Sequence, residues 1–106
     1  MFKLVSISAF IAIGLIVSGC STTPPKVLEK KAIVNPTIDG YPVDNCMTWA
    51  KNCRKPVADY LCRQEGYSFS INHTIKKVHP TKLVTGKICD AHYCAAIDYV
   101  ECGRYK

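Results

Sequence analysis

Apolar and polar positions along the chain fall into three regimes. From Leu4 to Val17 every residue is apolar except Ser6, Ser8 and Gly14. From Cys20 to residue 40 the periodicity disappears, and Pro24, Pro25 and Pro36 interrupt whatever the intervening residues begin. Only Val27 to Val34 has enough apolar character for a short helix or an edge strand, and the pattern fits both. From residue 41 onward periodic segments return. Asp44 or Asn45 stands where a cap would start a short helix from Cys46 to Asn52. Pro56 in a first turn and Gly66 just past an end bracket a second helix, whose Val57, Ala58, Leu61 and Cys62 form one apolar stripe. After Gly66 the period changes to two: Tyr67, Phe69 and Ile71 alternate with Ser68, Ser70 and Asn72, as in a strand with one face on a core. Lys82 to Cys102, with Asp90 to Tyr93 as a four-residue connection, reads as an antiparallel hairpin. The predicted fold class is α+β, a small disulfide-rich domain with one or two short helices packed on an antiparallel sheet of about three strands.

The apolar run follows a single lysine, Lys3, and is shorter than the ~20 residues of a bilayer span, which marks it as a signal segment. It ends in Val17-Ser18-Gly19-Cys20. These four residues resemble the lipobox of bacterial lipoproteins. The resemblance implies cleavage before Cys20, a diacylglycerol on its thiol and an acylated amine, so that the chain is held on the membrane by lipid. An uncleaved anchor helix and cleavage elsewhere by ordinary signal peptidase are the competing readings. Ser21 after the cysteine, by the same resemblance, favours the outer over the inner membrane of the bacterial envelope. The expected organisation is therefore a signal peptide over 1–19, a lipidated N-terminus and flexible tether over 20–40, and a stapled domain over 41–106. Such a tether spans at most about 70 Å.

Seven cysteines in 106 residues exceed ordinary usage, and a domain this small needs covalent staples. With Cys20 assigned to lipid, six remain: Cys46, Cys53, Cys62, Cys89, Cys94 and Cys102. An even number in an oxidising compartment predicts three disulfides, and sequence alone leaves fifteen pairings open. The preferred set is Cys89–Cys94 around the hairpin turn, Cys46–Cys102 tying the domain ends, and Cys53–Cys62 beside the helix. A metal site built on Cys89-x2-His92-x-Cys94 with His73 or His79 is the alternative. It is disfavoured because thiolate ligands need reducing conditions and paired Cys-x2-Cys spacing is absent. No metal or cofactor is expected.

The segment before Cys20 carries one lysine, and 13 basic side chains remain against 8 acidic ones, a formal +5. A basic envelope domain can meet anionic lipid headgroups, acidic glycans or peptidoglycan carboxylates, while nucleic acid is a poor expectation there. Candidate binding residues are Lys76, Lys77, His79, Lys82 and the exposed turn aromatic Tyr93; Trp49 reads as core. No nucleophile elbow, phosphate loop or His-Glu-x-x-His is present, so no catalytic residue is assigned. The run Ala58 to Tyr67 is similar to the cysteine, glycine and aromatic passage of WSC and PAN type modules, which bind carbohydrate or protein. The expected function is a non-enzymatic domain binding an envelope glycan or protein. Inhibition of a foreign lysozyme or protease, and a small enzyme acting on the cell wall, are the alternatives.

Overall fold

The computed structural model describes residues 26–106; the expected signal peptide over 1–19 and the expected lipid site Cys20 lie outside the described residues. Its elements are β1 (Leu28–Val34), β2 (Thr37–Ile38), β3 (Tyr41–Pro42), β4 (Cys46–Thr48), β5 (Lys51–Cys53), α1 (Lys55–Gln64), β6 (Phe69–Lys77), β7 (Thr81–Lys82), β8 (Ile88–Cys89) and β9 (Ala95–Tyr105). The architecture is α+β, one helix packed on an antiparallel sheet.

Helix α1 begins with Pro56 in its first turn, where a missing N–H breaks no intrahelical bond. It ends at Gly66, whose φ of +84° lets the Gly66 and Tyr67 N–H groups turn back onto the Arg63 and Cys62 carbonyls. Its buried side, Val57, Ala58 and Cys62, packs on the sheet with Val43, Ile97, Val100 and Cys102. Each fully buried Val or Ile in this layer contributes roughly 1.5–3 kcal/mol.

The sheet order is β1-β9-β6, all antiparallel, with β9 central. Tyr105 pairs with Leu28 and Gly103 with Phe69 at one end; Ala95 pairs with Lys77 at the other. The stretch that the pattern left open between helix and strand is therefore an edge strand, and Val27 exchanges both main-chain hydrogen bonds with Lys106. Residues 27–40 accordingly belong to the folded unit, since β2 and β3 add a hairpin before residue 43. The expected tether over 20–40 is corrected in its second part, where the chain is folded from Val27 onward; its first part lies outside the described residues.

Three other expectations are corrected. Residues 46–53 form the hairpin β4–β5 instead of a helix, with Thr48 opposite Lys51 and Cys46 opposite Cys53. The expected hairpin over 82–102 does not form: β7 pairs with β8, and β9 is drawn away from β8 to pair with β1 and β6, which offer a longer ladder. The faces of β6 are also reversed. Ser70 turns inward to the Asp59 carboxylate, while Phe69 and Ile71 lie on the sheet face that α1 does not cover.

The disulfides are Cys46–Cys53, Cys62–Cys102 and Cys89–Cys94. The pairings Cys46–Cys102 and Cys53–Cys62 are thus replaced. Cys62 lies on the buried stripe of α1 directly over β9, so its sulfur meets Cys102, whereas Cys46 and Cys53 are register partners across their own hairpin. A smaller cluster of Leu83, Cys89 and Cys94 forms a second core under the β7–β8 end.

Candidate functional site: a basic, aromatic cleft

A cleft of about 430 Å³ lies between the β4–β5 hairpin, the end of β6 and the Cys89–Cys94 loop. Its size falls in the range of small-ligand sites. Ile75, Ala95 and three of the disulfide-bonded cysteines, Cys46, Cys89 and Cys94, supply an apolar lining. Trp49 and Tyr93 line it too, and both remain exposed, at 49% and 66%. Three cations, Arg54, Lys76 and Lys77, complete the lining.

Local structure explains each placement. Trp49 and Ala50 are the two turn residues of β4–β5, and a turn closed by Cys46–Cys53 has no neighbour to bury an indole. Ala50, Asn52 and Arg54 adopt φ values of +55°, +54° and +71° without being glycine. Such backbone is disfavoured for residues with a Cβ and persists where surrounding bonds over-determine it. Here those bonds are the disulfide and the hydrogen bond from the Arg54 N–H to the Asn45 carbonyl, 2.6 Å. Tyr93 is held out by the short Cys89–Cys94 loop, with the His92 ring edge-on at 5.7 Å. Lys76 and Lys77 are consecutive at the end of β6, opposite Ala96 and Ala95.

The one carboxylate lining the cleft, Asp44, is buried and already accepts hydrogen bonds from the Thr81 hydroxyl and the Cys46 N–H. Among the described residues no ion pair engages Arg54, Lys76 or Lys77. The cleft therefore carries uncompensated positive charge beside two exposed aromatic faces. Guanidinium and ammonium groups donate to carboxylate or phosphate, and aromatic faces stack on sugar rings or other planar groups.

Of the residues singled out by sequence, Lys76, Lys77 and Tyr93 come together here. His79 and Lys82 do not line the cleft. His79 Nδ1 lies 3.2 Å from Asp90, and Lys82 bonds Asp39 at 2.6 Å with its ammonium 5.8 Å from the Tyr41 ring centre. Trp49 and Arg54 were missed because a predicted helix placed the indole in the core. The available signal was the pair of cysteines seven apart, a spacing that also closes a hairpin. The metal alternative loses its thiolates, since Cys89 and Cys94 are bonded to each other.

No family model, curated protein or solved structure matches the chain.

Proposed function

We propose that the chain is a lipid-anchored bacterial envelope protein whose domain binds an anionic envelope glycan, without catalysis, in the cleft between Trp49 and Tyr93. The observation that carries this reading is a cleft lined by Arg54, Lys76 and Lys77, none of them in an ion pair among the described residues, beside two exposed aromatic rings and an apolar floor. A carboxylate-bearing polysaccharide such as peptidoglycan matches both features: its acidic groups meet Arg54, Lys76 and Lys77, and its sugar faces meet the rings. The anchor is Cys20 in the lipobox, and Ser21 after it favours the outer over the inner membrane.

Pull-down of the oxidised full chain on immobilised peptidoglycan and on acidic and neutral polysaccharides across a salt series tests the reading, with the emission of Trp49, the single tryptophan, as a second readout in the proteins that keep it. The expected result is saturable binding with a shifted emission, weakened in part by salt. It is lost after reduction and alkylation, and it falls by about tenfold or more in Trp49→Ala, a loss of about 1.4 kcal/mol. Binding indifferent to Trp49→Ala and to Lys76→Glu would exclude the cleft. Stoichiometric inhibition of a lysozyme or protease, with no glycan bound, would replace this reading by the inhibitor one.

A further inference from the structure

The sheet ends in two different surfaces, and the one away from the cleft is where the chain enters the fold. We propose that this entry end, built from Val27, Leu28, Phe69 and Tyr105 with Lys26 and Lys30, docks on an anionic phospholipid bilayer. The inference rests on lipidation of Cys20, the anchor in the function proposed above.

Helix α1 covers only one face of β1-β9-β6. On the other face β9 places Tyr105 beside Leu28, and the Phe69 ring lies over Gly103 with its centre 6.0 Å from that of Tyr105. Phe69 is half-buried, while its apolar neighbours stay in solvent: Val27 is 62% exposed, Tyr105 59% and Ile71 38%. Lys26 and Lys30 are exposed at the same end. Glu29, opposite Arg104 at this end, points to the helix-covered face and is held by Arg104 at 2.8 Å, and Glu101 lies farther along β9 with Asn72 bonded to it. Tyrosine and lysine around a small apolar patch is the composition that partitions to a bilayer interface, with the rings among headgroups and the ammonium groups on anionic lipid.

The length of chain outside the fold selects the bilayer as occupant. Between Cys20 and Val27, whose main chain is fixed to Lys106, seven residues reach at most about 24 Å even fully extended. A domain on so short a lead meets the membrane repeatedly, and it does so with the end to which the lead is attached. The cleft is then directed away, because the eight residue steps of β6 from Phe69 to Lys77 carry it about 26 Å along the sheet.

The test reconstitutes the lipidated full chain in vesicles of phosphatidylethanolamine and phosphatidylglycerol containing lipids brominated near the carbonyl end of the acyl chain. One protein keeps its native Trp49; the other combines Trp49→Phe with Tyr105→Trp. The expected result is strong quenching of the indole at position 105 and little at position 49. Adding Lys26→Glu and Lys30→Glu is expected to reduce that quenching on the order of twofold, since each cation contributes separately near an anionic surface. Equal quenching at positions 49 and 105, whether strong or absent, would overturn the docking surface, as would indifference to the charge reversals. Intact mass of the Cys20 peptide separates the two failures: an unlipidated cysteine overturns the anchor and the docking with it, whereas a lipidated chain with no difference between positions overturns the docking alone.

Discussion

Asp44 accepts the hydroxyl proton of Thr81 at 2.6 Å in the interior, 37 residues away in sequence. Its second oxygen takes the Cys46 N–H at 2.9 Å, and its own N–H donates to the Lys82 carbonyl. One carboxylate thus joins β7 to the start of the β4–β5 hairpin, beneath the cleft. Asp44→Ala leaves a buried hydroxyl and an N–H without partners, and is expected to cost about 3 kcal/mol in urea denaturation. Thr81→Val removes one donor and leaves Cys46 bonded, so its cost should be the smaller of the two. Equal costs would show that the link to Thr81 carries the whole effect.

Gly103 is required by contact and not by backbone conformation. A Cβ there would stand 2.8 Å from Phe69 Cε1 and 3.0 Å from Ile71 Cδ1, closer than packing allows. Gly103→Ala is expected to destabilise by about 1–3 kcal/mol through overpacking. The obstructing atoms belong to side chains, so combining it with Phe69→Leu should recover part of the loss. Additive losses in that double variant would place the strain in the backbone of β9.

Helix α1 and the α+β class were legible because Pro56, the Val57-Ala58-Leu61-Cys62 stripe and Gly66 all point to the same element. The strand after Gly66 was legible as a strand, but its inner face was not. Ser70 is buried only because Asp59 on α1 reaches it, a contact that no periodicity contains. The β4–β5 hairpin was hidden because its two-residue turn, Trp49-Ala50, uses positive φ at Ala50 and contains none of the glycine, asparagine or aspartate that signals such a turn. Asp39-Gly40, by contrast, is an ordinary hairpin signal that the neighbouring prolines obscured; both residues have positive φ between β2 and β3. For the candidate site, Lys76, Lys77 and Tyr93 were visible as charge and turn. Their convergence with Trp49 and Arg54 depends on two disulfide-closed loops meeting in space.

Burial alone would push the Asp59 carboxyl up, yet hydrogen bonds from the Ser70 hydroxyl and N–H and from the Lys55 ammonium outweigh it and hold its pKa below the ordinary value. A carboxylate whose pKa is lowered in the fold stabilises the native state above the unfolded value, near 3.9 for Asp, and loses that contribution as pH falls through the folded value. Thermal melts should therefore show stability declining below about pH 4, and Asp59→Asn should flatten that slope while lowering the plateau at neutral pH. An unchanged slope in the variant would assign the acid sensitivity elsewhere, Glu29 with Arg104 being the next carboxylate held low by its partner.

The three disulfides close loops of very different length, and their removal should separate stability from binding. Cys62–Cys102 spans 40 residues, Cys46–Cys53 seven and Cys89–Cys94 five. Loop-closure entropy predicts a cost of about 4 kcal/mol for removing the first and about 2 kcal/mol for either of the others. The order is expected to reverse for the cleft. Cys62–Cys102 lies in the core between α1 and β9, away from Trp49, whereas Cys46–Cys53 holds the unfavourable turn that presents Trp49 and Arg54. Replacing both members of a pair by serine, with guanidinium titration beside glycan binding at a temperature where each variant is folded, resolves the two effects. Cys46→Ser with Cys53→Ser should keep most of the stability and lose most of the affinity, because freeing the hairpin lets Ala50 and Arg54 relax to negative φ and carries both ligand groups out of the cleft. If affinity instead followed stability across all three pairs, the hairpin would have no role in binding beyond that of the fold as a whole.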